Sequence, residues 1–282
     1  MNAGRFAVIQ TRFLIFIIES SEMPHTIKNW EQAEIKRSAS EATHLNAIDL
    51  RASEKQLARY LDPPADAYNP LEYSYHLLGD VRGKTILEYG CGSGANTLAL
   101  ARRGAYVIAI DISWDLIRVA RQRLLVNGIT SGVDLLVGSA HELPLPDESI
   151  DIVFGIAILH HLDLALSARE VKRVLVKKGR AIFQEPMRDS KMLKLIRSLI
   201  PYQAADVSPF ERPLTTIELM EFAKGCSSYH YRAFRLPHSN LIRLIPGLRR
   251  FTQRSIQMDA ILLRRFPKLG HYATVGVIEV LK

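Results

Sequence analysis

The stretch Lys84–Ser113, KTILEYGCGSGANTLALARRGAYVIAIDIS, decides the fold. Thr85–Tyr89 is a short apolar run of strand-forming residues. Gly90, Gly92 and Gly94 follow at alternate positions, and Ala95–Arg103 has a helical pattern. Tyr106–Ile110 is a second apolar run, closed by Asp111. Short continuous apolar runs bounded by glycines are what parallel strands covered on both faces require. Glycines let the backbone turn tightly and approach a ligand with no Cβ in the way. Their amides and the following helix N-terminus form a polar cradle. Asp111, 21 residues after Gly90, is placed to accept hydrogen bonds from a ribose diol.

Two ligand classes compete for such a site. Gly90, Gly92 and Ala95 fit the G-x-G-x-x-[GA] pattern of an NAD-binding unit. Glu88, two residues before Gly90, points the other way. A carboxylate at the strand end repels a pyrophosphate and suits a ligand carrying an ammonium or sulfonium group.

Outward from this unit, strand and helix keep alternating. Ser113 caps a helix over 114–127, and Gly128 ends it. Val133–Val137 reads as a third strand and Ile150–Phe154 as a fourth, with His160-His161 opening the next helical segment. A helix over 167–176, a turn at Lys177-Lys178-Gly179 and a fifth strand over 180–184 follow, ending in Glu185-Pro186. The alternation predicts an α/β fold with a doubly wound parallel sheet, whose ligands bind at the carboxyl ends of the strands. Upstream, Asn29 is read as the cap of a helix from Trp30, and a second pattern runs over Ser40–Tyr60 until Asp62-Pro63-Pro64 stops it. Asn69–Leu78 is a third helix. These helices are expected to fold over the nucleotide end of the sheet, with Tyr73, Tyr75 and His76 serving mainly in packing.

The pattern E-x-G-x-G-x-G at Glu88–Gly94 is followed in order by VGSAHELPLPDESIDIVFGIAILHHLD (137–163) and VLVKKGRAIFQEP (174–186). Together these segments resemble the motifs of class I S-adenosylmethionine-dependent methyltransferases, in their small-molecule, type 11-like branch, across Lys84–Pro186. The resemblance implies a seven-stranded Rossmann-like sheet closed by an antiparallel C-terminal strand. It places Glu88, Gly90, Cys91, Gly92 and Gly94 around the methionine part of the cofactor, and Asp111 on the ribose hydroxyls. Ile112 would flank the adenine, and Ala140 would offer its backbone N–H to the ring. Gly155 and Ile156 would line the sulfonium side. Ser139 departs from the family, which usually has an aspartate there for the adenine amine; its hydroxyl accepts only a neutral hydrogen bond, so either adenine affinity is lower or His141 helps. His160, leaving the end of strand four, is the candidate general base, and His161 is expected to point elsewhere. No Cys/His/Asp cluster has metal-ligand spacing, so no metal is expected. The implied reaction moves a methyl group from S-adenosyl-L-methionine to a small-molecule or lipid-like acceptor by in-line displacement. An NAD-dependent oxidoreductase and a non-catalytic cofactor-binding partner subunit are the rival readings.

The remaining composition bounds the partners. Of a net charge of +8, residues 187–282 carry +9 and residues 1–186 carry −1. The basic excess favours an anionic partner such as a membrane surface, and 241–265 interleaves arginines with Leu241, Ile242, Leu244, Ile245, Leu248 and Phe251. That segment is read as a candidate peripheral membrane contact or as a lid helix with a solvated basic face. No nucleic-acid module or aromatic stacking series is present, so no nucleic acid is expected. Two cysteines, Cys91 and Cys226, are no disulfide framework, which fits a reducing cytoplasm. The apolar run Phe13–Ile18 is too short to span a bilayer. Residues 1–29 read as an extension, disordered or not native, with Met23 as an alternative start. Residues 30–79 read as an N-terminal helical segment and 80–282 as the catalytic domain, with insertions at 187–214, which includes a helix over 190–200, and at 237–270. Nothing in the pattern sets the oligomeric state.

Overall fold

The computed structural model describes residues 25–45, 50–190 and 212–282. The expected N-terminal extension up to His25 and the helix over 190–200 lie outside these residues, apart from Ser190.

Among the described residues, three helices precede the sheet: α1 (His25–His44), α2 (Glu54–Leu61) and α3 (Pro70–Leu78). Asn29 is not a cap, because α1 begins four residues earlier and runs through it. The pattern over Ser40–Tyr60 is likewise not one helix. α1 ends at His44, and α2 starts afresh from a capping box in which Ser53 accepts from Gln56 N and Gln56 accepts from Ser53 N. α3 starts as expected, with Asn69 as its cap and Pro70 in the first turn.

The sheet contains β1 (Thr85–Tyr89), β2 (Tyr106–Asp111), β3 (Val133–Val137), β4 (Ile150–Ile156), β5 (Leu175–Pro186), β6 (Ser228–Phe234) and β7 (Val275–Leu281). The helices α4 (Ala95–Arg102), α5 (Trp114–Val126) and α6 (Leu164–Val174) make the crossovers, and α7 (Thr216–Phe222) follows β5. The strand order is β3-β2-β1-β4-β5-β7-β6. β7 runs antiparallel to both β5 and β6, and the other pairs are parallel. The chain steps outward from β1 to β3 on one side and from β4 onward on the other. The crevice of an open α/β sheet therefore opens at the carboxyl ends of β1 and β4.

Both faces of the sheet are dry, which is why its strands read as unbroken apolar runs. Ile86, Val107, Leu135, Ile152 and Ile182 face one core with Tyr75, Leu98 and Phe154. Their neighbours Leu87, Leu136, Val153 and Phe183 face the other, with Val171 and Phe222. Burying each such side chain fully contributes roughly 1.5–3 kcal/mol. The turn expected at Lys177-Lys178-Gly179 is absorbed into β5: the register jumps from Ile150 opposite Leu175 to Ile152 opposite Arg180, and Lys178 takes a φ of 63°. The basic segment 241–265 is interrupted at Pro246-Gly247, which splits it into α8 (Pro237–Leu244), a 3-10 turn (Pro246–Phe251) and α9 (Thr252–Arg265).

Candidate active site

A cavity of about 200 Å³ lies at the carboxyl ends of β1, β2, β3 and β4 and is roofed by α1. Seven of the thirteen candidate residues line it: Gly90, Gly92, Asp111, Ile112, Ala140, His141 and Ile156. Glu88, Cys91, Gly94, Ser139, Gly155 and His160 are not among its lining residues.

The glycine turn differs from a phosphate cradle. Gly90 N and Cys91 N both donate to Ile110 O at 3.0 and 2.9 Å, and Gly94 N donates to Cys91 O at 2.9 Å. Gly92 N donates to Asp111 Oδ2 at 2.8 Å. Four amides of the turn are thus spent inside the protein. Gly90 holds a φ of 77°, and a Cβ there would meet Ile158 Cδ1 at 2.6 Å. Gly94 also has a left-handed φ, 78°, and a Cβ would lie 2.7 Å from Ala120 Cβ. Its glycine seats α4 on α5 rather than lining the cavity. Gly155 has a similar packing role, since a Cβ would meet Phe183 at 2.5 Å. Beneath the turn, buried Arg123 of α5 donates from Nε to Ser93 O at 2.8 Å and so braces the loop.

The electrostatics favour a cation. Glu88 is 2 % exposed; Thr97 Oγ1 donates to its Oε2, and Oε1 has no partner among the described residues. Burial pushes its carboxyl from 4.5 up to about 8, with Asp111 adding repulsion. Asp111 accepts from Gly92 N and from Ser113 N at 2.9 Å, and burial still raises it to about 6, with Glu34 and Glu41 adding to the rise. Burial also pushes up the Cys91 thiol, which disfavours its thiolate form.

The N-terminal helices cover the nucleotide end of the sheet as expected, but the α1 residues that do so were not foreseen. Trp30, Glu31, Glu34, Arg37, Ser38 and Glu41 of α1 all line the cavity. Burial alone would raise Glu34, but the Arg37 hydrogen bond and the charges of His161 and Arg37 outweigh it and hold its carboxyl low. The spacing of Trp30, Glu34, Arg37 and Glu41 is the available signal: steps of three and four put them on one face of a helix. By contrast Tyr73 and Tyr75 are buried packing residues, and Tyr75 meets Tyr60 and Phe154 at ring-centroid distances of 4.9 and 5.2 Å.

Beside the cavity the two histidines divide. His161, expected to point away, lines it, with Nδ1 3.5 Å from Glu34 Oε2. His160 turns to buried Glu185 at the end of β5, its Nδ1 2.8 Å from Oε2. Glu185 Oε1 also accepts from Ile158 N at 3.0 Å and Leu159 N at 2.8 Å. One carboxylate therefore fixes the 158–160 turn and the His160 ring. Ala157, Ile158 and Leu162 of this turn complete the wall.

A doubly wound sheet with a carboxylate-lined nucleotide-type cavity at its switch point defines a Rossmann-like cofactor-binding enzyme that takes a cationic cofactor. Residues 87–183 match the family described as "Methyltransferase domain", and the chain is an S-adenosylmethionine-dependent methyltransferase. A ubiquinone biosynthesis O-methyltransferase from Aeromonas salmonicida (strain A449) is 27 % identical over 195 residues, covering 64 % of this chain and 80 % of that protein. A demethylmenaquinone methyltransferase from Thermobifida fusca (strain YX) is 35 % identical over 106 residues, covering 36 % of this chain and 44 % of that protein. The fold is shared with an S-adenosylmethionine-dependent methyltransferase from Mesorhizobium loti, with a TM-score of 0.53 at 18 % identity, covering 77 % of this chain and 98 % of the other.

The residues present fit that cofactor. A buried carboxylate with an unpaired oxygen is costly unless a cation or donor meets it, and Glu88 Oε1 is such an atom. With four amides of the glycine turn committed within the protein and methyltransferases as its matches, NAD chemistry is not favoured. Among the described residues, no group of three His, Cys, Asp or Glu side chains is placed to hold a metal, and no helix is long and apolar enough to cross a membrane.

Proposed function

We propose that the protein methylates a small, lipid-like acceptor, with Glu88 facing the cofactor's cationic amino-acid end and Asp111 its ribose. The observation that carries this is the buried, half-satisfied Glu88 carboxylate at the switch point. The cofactor supplies an activated methyl group bonded to a sulfonium. The protein's task is to position the acceptor in line and to exclude water, which accounts for several kcal/mol of barrier in such reactions, on the order of 7–11 at best. The roof of α1 and the apolar wall of Ile112, Leu116, Ile156 and Ile158 serve the second purpose.

Where the acceptor must lose a proton, His160 takes it. Its Nδ1 lies 2.8 Å from Glu185 Oε2, a contact that fixes the ring as an oriented catalytic imidazole requires. The insertions at 187–214 and 237–270 select the acceptor, and residues 80–282 form the catalytic domain. The quinone-pathway names of two relatives support a lipid-like acceptor. A thermal-shift screen of isoprenoid quinol precursors and other small phenols, with S-adenosylhomocysteine present, followed by turnover on the hits, tests the acceptor class. Turnover only on water-soluble, non-lipid acceptors removes the lipid-like reading.

A surface feature supports a peripheral membrane contact. α9 exposes Met258 and Ile261, with Phe266 just beyond, beside exposed Arg254, Arg264 and Arg265. Apolar side chains among arginines suit the interface of an anionic bilayer.

A further inference from the structure

We propose that Glu31 on α1 accepts the exocyclic amine of the cofactor's adenine and thereby selects an aminopurine at this site. The proposal rests on the S-adenosylmethionine reading and adds a residue from outside the sheet domain.

Sheet order fixes where the base must lie. The cavity runs along neighbouring strand ends, from Gly90 and Ile156 at β1 and β4, past Asp111 at β2, to Gly138, Ala140 and His141 after β3. A ligand with its ribose on Asp111 and its cationic end beside the glycine turn has only the β3 end left for its base. There Ile112 offers an apolar face.

The hydrogen-bonding capacity of that end is concentrated in one side chain. Ser139 Oγ accepts from His141 N at 3.0 Å and donates its hydrogen to Glu31 Oε1. His141 Nε2 accepts from Asp163 N at 2.9 Å, so this nitrogen carries the lone pair. The ring proton then sits on Nδ1, 3.1 Å from the same Glu31 Oε1. Both donors are committed to Glu31. Neither Ser139 nor His141 is therefore the principal acceptor for an amine, although the sequence pointed to that pair.

Glu31 is placed for the task. It lines the cavity, and its side chain is only 15 % exposed. Both contacts use Oε1, and Oε2 has no partner among the described residues. A carboxylate has about four lone-pair sites, so two or more remain for a ligand. Two fixed donors also lock its rotamer in advance, as a selective acceptor requires. An exocyclic amine presents hydrogens and no usable lone pair. An oxo group at the same ring position presents lone pairs, which a carboxylate repels. Glu31 should thus distinguish adenine from hypoxanthine.

The experiment is calorimetric binding of S-adenosylhomocysteine and S-inosylhomocysteine to the full chain, its Glu31→Gln variant and its Glu31→Ala variant. Wild type should prefer the adenosyl ligand by at least about tenfold, the discrimination expected of a charged hydrogen bond. Glu31→Gln should bring the two ligands within about threefold, because its amide can turn a donor to the oxo group. Glu31→Ala should weaken the adenosyl ligand more than the inosyl one; should that variant fail to fold, the near-isosteric glutamine variant decides. An equal loss for both ligands would mean that Glu31 merely holds α1 in place and would overturn the proposal. So would an unchanged preference in Glu31→Gln, or no preference in wild type. Failure of wild type to bind S-adenosylhomocysteine at all would instead strike the cofactor reading itself.

Discussion

Replacing Glu88 by glutamine should stabilise the cofactor-free protein at high pH while weakening cofactor binding. Burial raises this carboxyl from 4.5 to about 8, so near neutral pH the folded protein holds a proton that the unfolded chain releases. Stability falls with rising pH wherever the native state binds more protons than the unfolded one. For Glu88 the contribution is full below about pH 4.5 and declines until about pH 8. The whole displacement is worth on the order of 4–5 kcal/mol. Asp111, raised to about 6, declines in the same direction over a lower window and remains in the variant as a common background. Glutamine keeps the shape and still offers Thr97 an acceptor, but it carries no charge at any pH. Urea unfolding at about pH 5 and about pH 8 should therefore find the two proteins within about 1 kcal/mol at the lower pH. At the higher pH the variant should be more stable by about 2–4 kcal/mol. A bound ammonium reverses the sign, because it favours the ionised carboxylate. S-adenosylhomocysteine should bind wild type with proton release near neutral pH, and bind Glu88→Gln at least about tenfold more weakly. A variant that is less stable than wild type at about pH 8, or that binds the ligand equally well, would refute the reasoning.

Glu185→Gln should keep the acceptor for Ile158 N and Leu159 N but turn an amide donor toward His160 Nδ1, moving the imidazole proton to Nε2; turnover should fall about a hundredfold or more while S-adenosylhomocysteine affinity changes little. His160→Ala should behave alike in kinetics, and unchanged turnover in both would remove His160 from the chemistry. Gly94→Ala should destabilise the fold by at least about 2 kcal/mol, measured by denaturant midpoint, because the new methyl meets Ala120 at 2.7 Å in a left-handed backbone. Sedimentation with liposomes should show binding that needs anionic lipid and weakens in salt, and Ile261→Asp should reduce it; equal binding to neutral vesicles, or none to either, rejects the membrane contact.

The sheet was legible because its physics is local. Both faces are covered, so β1 and β3 announce themselves as apolar runs, and their expected bounds, Thr85–Tyr89 and Val133–Val137, coincide with the observed ones. The placement of Glu88 and Asp111 was legible as well, since one is next to last in β1 and the other ends β2. What the sequence hid was set across distance. Glu31 meets Ser139 and His141 from 108 and 110 residues away, and no local pattern marks such a pairing. The functional face of α1 is polar, whereas periodicity is read from apolar residues. Adjacent residues in a 3-10 turn diverge by about 120°, so either histidine of the pair could have faced the cavity. Glu185, 25 residues beyond His160, decides which. The glycine turn looked like a set of free donors because sequence shows amides but not the carbonyls, Ile110 O and Cys91 O, that consume them.

The central claim is that this cavity takes a sulfonium-type nucleoside rather than a dinucleotide. Parallel calorimetric titrations of the full chain with S-adenosylhomocysteine and with NAD test it most directly. The account predicts saturable one-to-one binding of S-adenosylhomocysteine, lost in Asp111→Ala, and no detectable heat of binding for NAD. Saturable NAD binding with none for S-adenosylhomocysteine would contradict it.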